Sequence, residues 1–436
     1  MTLFSFDLKE DSEKYLNYFS DFLKINTISG SGAEGGYNRA VEYLSLLCKE
    51  AEADNVFILN ESIKEKPILI ATYEGSEPEL SAILLNSHYD VVPIMESGWT
   101  LPAFEGIRKD GKIYGRGAQD MKCVCIQYII AMKILKSQGF KPKRTIHLSF
   151  VPDEEIGGEE GMCILLQSQW YSNIKIAIAL DEGLASEDDS YSVFYGERLP
   201  WWVRVRANGN TGHASRFIDG TAVEKIAKVI NNALEFRELQ RTLLHGANCH
   251  HNGSIGCSHS VVGKKKKTLG DVTTLNVTYI RAGIELGGKP VLNVVPATAE
   301  ACFDIRISPH TPPQDIKMEL DKWVKAQDNC SWEFINPGAS SHAITSTDSS
   351  NPWWIVFSDV IENSLKIKLK QEVFPAATDS RFLRAIGIKA FGFSPMRNSP
   401  ILLHEHDEYL EEKVFLEGCS VYVTLLSRLS TEDIKD

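Results

Sequence analysis

The chain has 436 residues, 43% of them hydrophobic and 24% charged, with a formal net charge of -12. The length exceeds one typical core, so two domains or one large α/β domain with an insertion are expected, and the apolar fraction excludes extensive disorder. The acidic balance excludes nucleic acid as the main partner, and no window approaches the ~18 apolar residues of a membrane span.

Segments 9–24 and 38–51 read as amphipathic helices, with Tyr15, Phe19, Phe22 and Leu23 in the first and Val41, Leu44 and Leu47 in the second; 67–73 reads as a strand. This is α/β alternation from the outset. The apolar run 81–86 leads into Ser87-His88-Tyr89-Asp90-Val91-Val92-Pro93, where His88 and Asp90 leave an extended backbone on the same face. A histidine with a carboxylate beside it is a metal ligand with its orienting partner, or a simple hydrogen-bonded pair. After a hairpin about Asp110-Gly111, the stretch Gly115-Arg116-Gly117-Ala118-Gln119-Asp120-Met121-Lys122 opens a helix over 121–135. Asp120 suits a helix N-cap as well as a ligand.

The strand 145–151 runs into Pro152-Asp153-Glu154-Glu155-Ile156-Gly157-Gly158. Three adjacent carboxylates in a turn need solvent, cations or protons as company. A further strand over 174–180 ends in Asp181-Glu182-Gly183. Three apolar strands thus end in acids or histidine at their carboxyl ends, where an open α/β sheet places its active site.

Beyond residue 198 the texture changes. Strand 201–206, helix 219–241, strands 272–281 and 294–307, helix 313–326 and strand 331–335 follow the order β-α-β-β-α-β of a ferredoxin-like domain, inserted at 199–337 between catalytic segments 1–198 and 338–436. The linker 244–270 carries Cys249-His250-His251, Cys257-Ser258-His259 and four consecutive lysines; without paired CxxC spacing it reads as a surface loop. The α/β texture returns with a helix over 351–365 and a strand over 390–393, followed by Ile401-Leu402-Leu403-His404-Glu405-His406-Asp407-Glu408. The nine cysteines are scattered and odd in number, and the N-terminal stretch lacks a basic segment followed by a long apolar run, so a reduced, cytoplasmic protein is expected.

Imidazole and carboxylate groups bind borderline divalent metals such as zinc. Two such ions about 3.5 to 4 Å apart can share a carboxylate and lower the pKa of bound water. Asp120 suits the bridge, His88 with Asp181 or Glu182 one ion, and Glu155 with His404 the other. Glu154 is then left free as a general base.

The ordered motifs Ser-His-x-Asp-Val-Val-Pro, Gly-Arg-Gly-Ala-Gln-Asp-Met-Lys, Val-Pro-Asp-Glu-Glu-x-Gly-Gly and His-x-x-Asp-Glu resemble those of the zinc-dependent superfamily of aminoacylases, carboxypeptidase G and dipeptidases. Pro200-Trp201-Trp202-Val203-Arg204-Val205, Gly212-His213-Ala214-Ser215-Arg216-Phe217 and Ala377-Thr378-Asp379-Ser380-Arg381, with other stretches across 22–426, are most similar to the aminoacylase branch. The resemblance implies a mixed-sheet α/β catalytic domain with an inserted ferredoxin-like domain that acts as a lid and joins a homodimer. It implies hydrolysis of small-molecule N-acyl-L-amino acids with two zinc ions per subunit, held by His88, Asp120, Glu155, Glu182 and His404. Asp90 would orient His88 and Glu154 would be the general base. His213, on the inserted domain, would serve the partner subunit's site and stabilise the oxyanion, while Asn293, Arg306 and Arg381 would hold the substrate, a guanidinium being suited to its α-carboxylate. A dipeptidase or another deacylase would share this metal chemistry. A non-catalytic binding or dimerisation protein would lack the base or a ligand, and Glu154, Asp120 and His404 are all present. Segment 241–270 departs from the family pattern by its greater length.

Overall fold

Short apolar runs bounded by turn residues build an eight-stranded mixed sheet in the computed structural model, which describes residues 11–30, 35–245, 267–336 and 341–434. The strand order is Asn55–Ile58, Leu69–Tyr73, Ile146–Val151, Ala82–His88, Ile176–Asp181, Lys389–Gly392, Ser190–Glu197 and Lys368–Phe374. The four strands from Ile146–Val151 to Lys389–Gly392 are mutually parallel, and Leu69–Tyr73 and Ser190–Glu197 flank them antiparallel. Their carboxyl ends therefore lie along one edge.

Both faces of the parallel strands are covered, which is why they read as continuous apolar runs. Ile83, Leu85, Leu148, Phe150 and Leu180 face one core, shared with the helices Ser12–Leu23, Gly36–Glu50, Lys122–Ser137 and Glu412–Leu429. Leu84, Val151 and Ala179 face a second core with Met162, Leu165 and Leu383. The helix Lys122–Ser137 is buried over most of its circumference. A small sheet of Ile107–Lys109, Lys112–Tyr114 and Tyr409–Glu411 completes this unit. Its first two strands are joined by Asp110 and Gly111, both at positive φ, as a tight I′ hairpin requires.

The chain divides into two compact units: Met1–Tyr195, Thr345–Gln371 and Thr378–Asp436 form the first, and Gly196–Ile344 with Glu372–Ala377 the second. The second unit has a four-stranded antiparallel sheet in the order Thr274–Ala282, Thr298–Ile307, Leu199–Asn208, Cys330–Asn336, with the helices Ala222–His245 and Pro313–Lys325. In chain order these are the second, third, first and fourth strands, the split βαβ arrangement of a ferredoxin-like domain. Trp201, Val203, Val205 and Ala207 face its core, and the intervening Trp202, Arg204 and Arg206 face outward. Thr221 and Glu224 form a reciprocal capping box at the start of the long helix, with bonds of 3.3 and 3.0 Å.

Two elements differ from expectation. The strand expected over 294–307 is broken: Val294–Val295 pairs with Gly212–His213, and only Thr298–Ile307 joins the sheet. Pro296, which has no N–H to donate, lies between them. The helix expected over 351–365 is α-helical only in Pro352–Ser358 and widens to a π turn in Asp359–Ser364. The cysteine, histidine and lysine cluster of the 244–270 linker lies outside the described residues, apart from Lys267.

Candidate metal centre

His88 is the last residue of its strand and stands opposite Val151, so the acidic turn after Val151 begins beside it. That turn needs left-handed backbone at Asp153, Gly157 and Gly158. Asp153 is held in place by the Tyr37 hydroxyl, which donates to it at 2.7 Å, and by an ion pair with Lys66. At Gly158 a side chain would place Cβ 2.8 Å from Asp379 Oδ1. The turn sends its two glutamates in different directions: Glu154 joins His88 and Glu182, and Glu155 joins Asp120 and His404. Within each group the potential ligand atoms all lie within 4.8 Å of one another.

Asp120 connects the groups. Its Oδ1 lies 3.1 Å from His88 Nε2 and its Oδ2 3.3 Å from His404 Nε2. His88 Nε2 is also 3.6 Å from Glu182 Oε2, and His404 Nε2 is 3.1 Å from Glu155 Oε2. The helix that follows is capped by Met121 with no side-chain bond, so Asp120 does not serve as its N-cap.

Asp90 fixes the orientation of His88. The imidazole Nδ1 lies 3.0 Å from Asp90 O and 3.3 Å from its Oδ1; with Nδ1 as donor, Nε2 is left with its lone pair toward Asp120 and Glu182. The buried Asp90 carboxylate also accepts from the Ser29 hydroxyl at 2.8 Å and from the backbone N–H groups of Glu154 and Glu155 at 3.2 and 3.3 Å.

Asp181 and Glu182, which sequence left open, part company, as do His404 and the nearby His406. Asp181 turns away from His88 and accepts from Asn86 Nδ2 at 3.1 Å and Ser380 Oγ at 2.8 Å, whereas Glu182 faces His88. His404 enters the Asp120 and Glu155 group, whereas the His406 ring lies against Gly98.

The electrostatics are those of a site short of positive charge. Burial pushes Glu182 well above the usual carboxylate range, and the charge of Asp120 pushes it further. Glu154 is raised by burial and then by Glu182, and Glu155 by burial and then by Asp120. Asp120, although burial opposes it, is held low by its bonds to His404 and His88. Those to Asp120 and Glu155 raise His404 to about 10. Glu155 Oε1 is buried with no hydrogen-bond partner among the described residues. A buried, unpartnered carboxylate oxygen amid mutually raised carboxylates and outward imidazole nitrogens is what a divalent cation would satisfy, so the donor set fits metal.

Arg381 donates to Gly157 O at 2.9 Å and Thr378 O at 3.1 Å, with Nη1 3.8 Å from Glu154 Oε1. His213, Asn293 and Arg306 belong to the second unit. His213 is exposed, its Nδ1 2.8 Å from the Ser215 hydroxyl; Asn293 O accepts from Ala214 N at 2.9 Å. Arg306 makes a strand ion pair with Asp304 through two bonds of 2.7 and 2.9 Å. A cavity beside Asp120 and Glu182 is walled by Leu184, Ala185, Met396 and Leu403. Sequence reading assigned no task to Arg116 or Glu408, which form a buried ion pair of 2.8 Å, although both stand inside recognised motifs.

Residues 84–428 match the model of peptidase family M20/M25/M40. The chain belongs to that family. As an M20 member it is a metal-dependent amidohydrolase, and its relatives include Aminoacylase-1 of Sus scrofa, 41% identical over 428 residues and 97% of each chain. Aminoacylase-1 of Dictyostelium discoideum is 42% identical over 422 residues, 95% of this chain and 97% of that one. Among solved structures, the M20 family metallo-carboxypeptidase Sso-CP2 of Sulfolobus solfataricus superposes with a TM-score of 0.68 at 18% identity, covering 96% of this chain and 99% of that one. The dinuclear metal-binding M20 peptidase YXEP of Bacillus subtilis gives 0.66 at 14% identity, covering 97% and 99%. At these identities the two structures establish the M20 fold.

Proposed function

We propose that the chain is a dinuclear zinc enzyme that hydrolyses N-acyl-L-amino acids to a carboxylate and a free L-amino acid, as the name of its aminoacylase relatives suggests. The observation that carries this reading is the pair of ligand groups meeting at Asp120. His88, Asp120 and Glu182 would hold one ion, and Asp120, Glu155 and His404 the other. When bound, the ions polarise the scissile carbonyl and lower the pKa of the attacking water toward neutrality.

Glu154 stands beside the ligands without being needed as one. It takes the proton from the attacking water as the oxygen bonds to the acyl carbon, and returns it to the leaving nitrogen as the amide C–N bond breaks. Asp90 keeps His88 in the tautomer that presents Nε2. Arg381 offers a guanidinium to the substrate α-carboxylate, a pairing that can be bidentate.

The second unit acts in this reading as a lid and dimerisation domain that brings His213 to the partner subunit's site to stabilise the oxyanion, with Asn293 and Arg306 holding substrate. Support for dimerisation comes from the strand Thr274–Ala282, which is at the edge of its sheet among the described residues and has exposed Tyr279 and Ile280. A cytoplasmic location agrees with the free thiols of all described cysteines. No helix among the described residues is long and apolar enough to cross a membrane.

Purified protein, assayed on N-acetyl-L-methionine and on unblocked dipeptides with metal content measured alongside, tests the reading. Turnover of the acylated amino acid, abolished by a chelator and restored by zinc, is expected. Preference for the dipeptides would replace it with a dipeptidase.

A further inference from the structure

The two ligand groups are built in different ways. His88 and Glu182 stand at or next to the ends of parallel strands and inherit their positions from the sheet ladder. Asp120 and His404 stand in turns that no ladder reaches; His404 even adopts left-handed backbone, at φ 63°. Something other than regular secondary structure must set the 3.3 Å between them.

The small sheet does the first part. Tyr409 pairs with Tyr114 and Leu410 with Ile113, so the chain leading to Asp120 and the chain leaving His404 run side by side. Three buried side chains then join the turns. The fully buried Glu408 carboxylate accepts at Oε1 from the N–H of Gln119 at 2.7 Å and of Asp120 at 3.4 Å, and at Oε2 from the N–H of Gly117 at 3.1 Å and from Arg116 Nη1 at 2.8 Å. Arg116 reaches back across to Glu405 O at 3.1 Å and His404 O at 3.3 Å. Gln119 donates to Pro400 O and Tyr409 O at 2.9 and 3.0 Å and accepts from Leu402 N at 2.9 Å. None of the three belongs to either ligand group.

We infer that Arg116, Gln119 and Glu408 are positioning residues that hold Asp120 and His404 at metal-binding spacing, and that the His404-side ion, two of whose ligands stand in these turns, depends on them more than the His88-side ion. Removing the Glu408 charge leaves the buried Arg116 guanidinium unpaired and weakens the grip on the Asp120 turn. The His88-side ion shares Asp120 but keeps two ligands, His88 and Glu182, that the sheet positions, so it depends on the turns less. This inference rests on the dinuclear reading above.

Chelator-treated wild type, Glu408→Gln and Arg116→Lys are reloaded with zinc alone. Ions per chain are counted by atomic emission, affinities are measured by competition with a chromophoric chelator, and folding is followed by circular dichroism. Glutamine keeps the volume and one acceptor; lysine keeps a charge but cannot span the carboxylate and both carbonyls. Each variant is expected to bind the His404-side ion about 10- to 100-fold more weakly, the range typical when a group supporting a ligand is lost, and the other ion with a smaller loss. On a His404→Ala background, Glu408→Gln is expected to add less loss than it causes in wild type. Equal weakening of both ions, no weakening of either, or unfolding in place of loss of one ion would overturn the assignment. A wild type that takes up no zinc would overturn the dinuclear reading as well, and so separates the two failures.

Discussion

The backbone N–H of Glu154 donates to Asp90 Oδ1 at 3.2 Å. Because the same carboxylate faces His88 Nδ1 at 3.3 Å, the position of the proposed base and the tautomer of the proposed ligand share one anchor. Disturbing Asp90 therefore disturbs binding and chemistry together.

Asp90→Asn tests that coupling. An amide supplies one acceptor oxygen in place of two, and its NH₂ opposes the backbone N–H of Glu154 in one orientation and that of Glu155 in the other. A stability loss of about 1 to 3 kcal/mol is expected for the unsatisfied buried donor, read from urea denaturation of the chelated protein. Zinc affinity is expected to fall about 10- to 100-fold; wild-type affinity in a folded Asp90→Asn protein would contradict the anchor.

Glu154→Gln separates the base from the ligands. The variant is expected to retain both ions while kcat falls by about 100- to 10,000-fold, the usual contribution of a positioned general base. Full activity with both ions in place would remove Glu154 from the mechanism.

Metal uptake should release protons. In the metal-free protein His404 is raised to about 10 by Asp120 and Glu155, and Glu182 is raised well above the usual range by burial and by Asp120. His404 then carries a proton near pH 7 that a bound cation must displace. Calorimetric zinc titrations in two buffers of different ionisation enthalpy are expected to give different heats; identical heats would contradict the protonated metal-free site.

His147 supplies a pH dependence away from the metals. It is buried in the strand Ile146–Val151, stacks edge-on against Trp170 and lies 2.9 Å from the Thr72 hydroxyl, and burial lowers its pKa from 6.5 to about 4. The folded value lies below the unfolded one, so unfolding takes up a proton as the solution is acidified. The stability tied to the neutral ring is complete above pH 6.5 and is lost as pH falls from there through 4. At the low end this amounts to about 3 kcal/mol. His147→Phe cannot titrate, so its urea midpoint is expected to fall less than that of wild type between pH 7 and 4.5; parallel curves would refute the assignment.

Strand ends carrying acids or histidine were readable because buried parallel strands are short apolar runs with polar stops. That was enough to bring His88, Glu154, Glu155 and the Asp181-Glu182 pair to one edge. The choice between Asp181 and Glu182 depends on Asn86 and Ser380, which approach from elsewhere in the chain. The Arg116–Glu408 pair joins residues 292 positions apart and leaves no local pattern. The helix Glu412–Leu429 is absent from the sequence reading although its less buried positions, Lys413, Leu416, Glu417, Ser420, Thr424 and Arg428, recur at helical spacing. The flanking strands Asn55–Ile58 and Lys368–Phe374 are short or part polar and merge with loop composition.

The strand Lys389–Gly392 lies between Ile176–Asp181 and Ser190–Glu197, although it is made long after both. A nascent chain that has emerged only as far as residue 388 therefore carries a gap in the middle of its principal sheet, with the edge of Ile176–Asp181 open to pairing with another molecule. Frameshifts or stops before residue 389 should yield aggregating products rather than weakened enzymes, and folding on the ribosome must wait for the strand Lys389–Gly392 to close the gap.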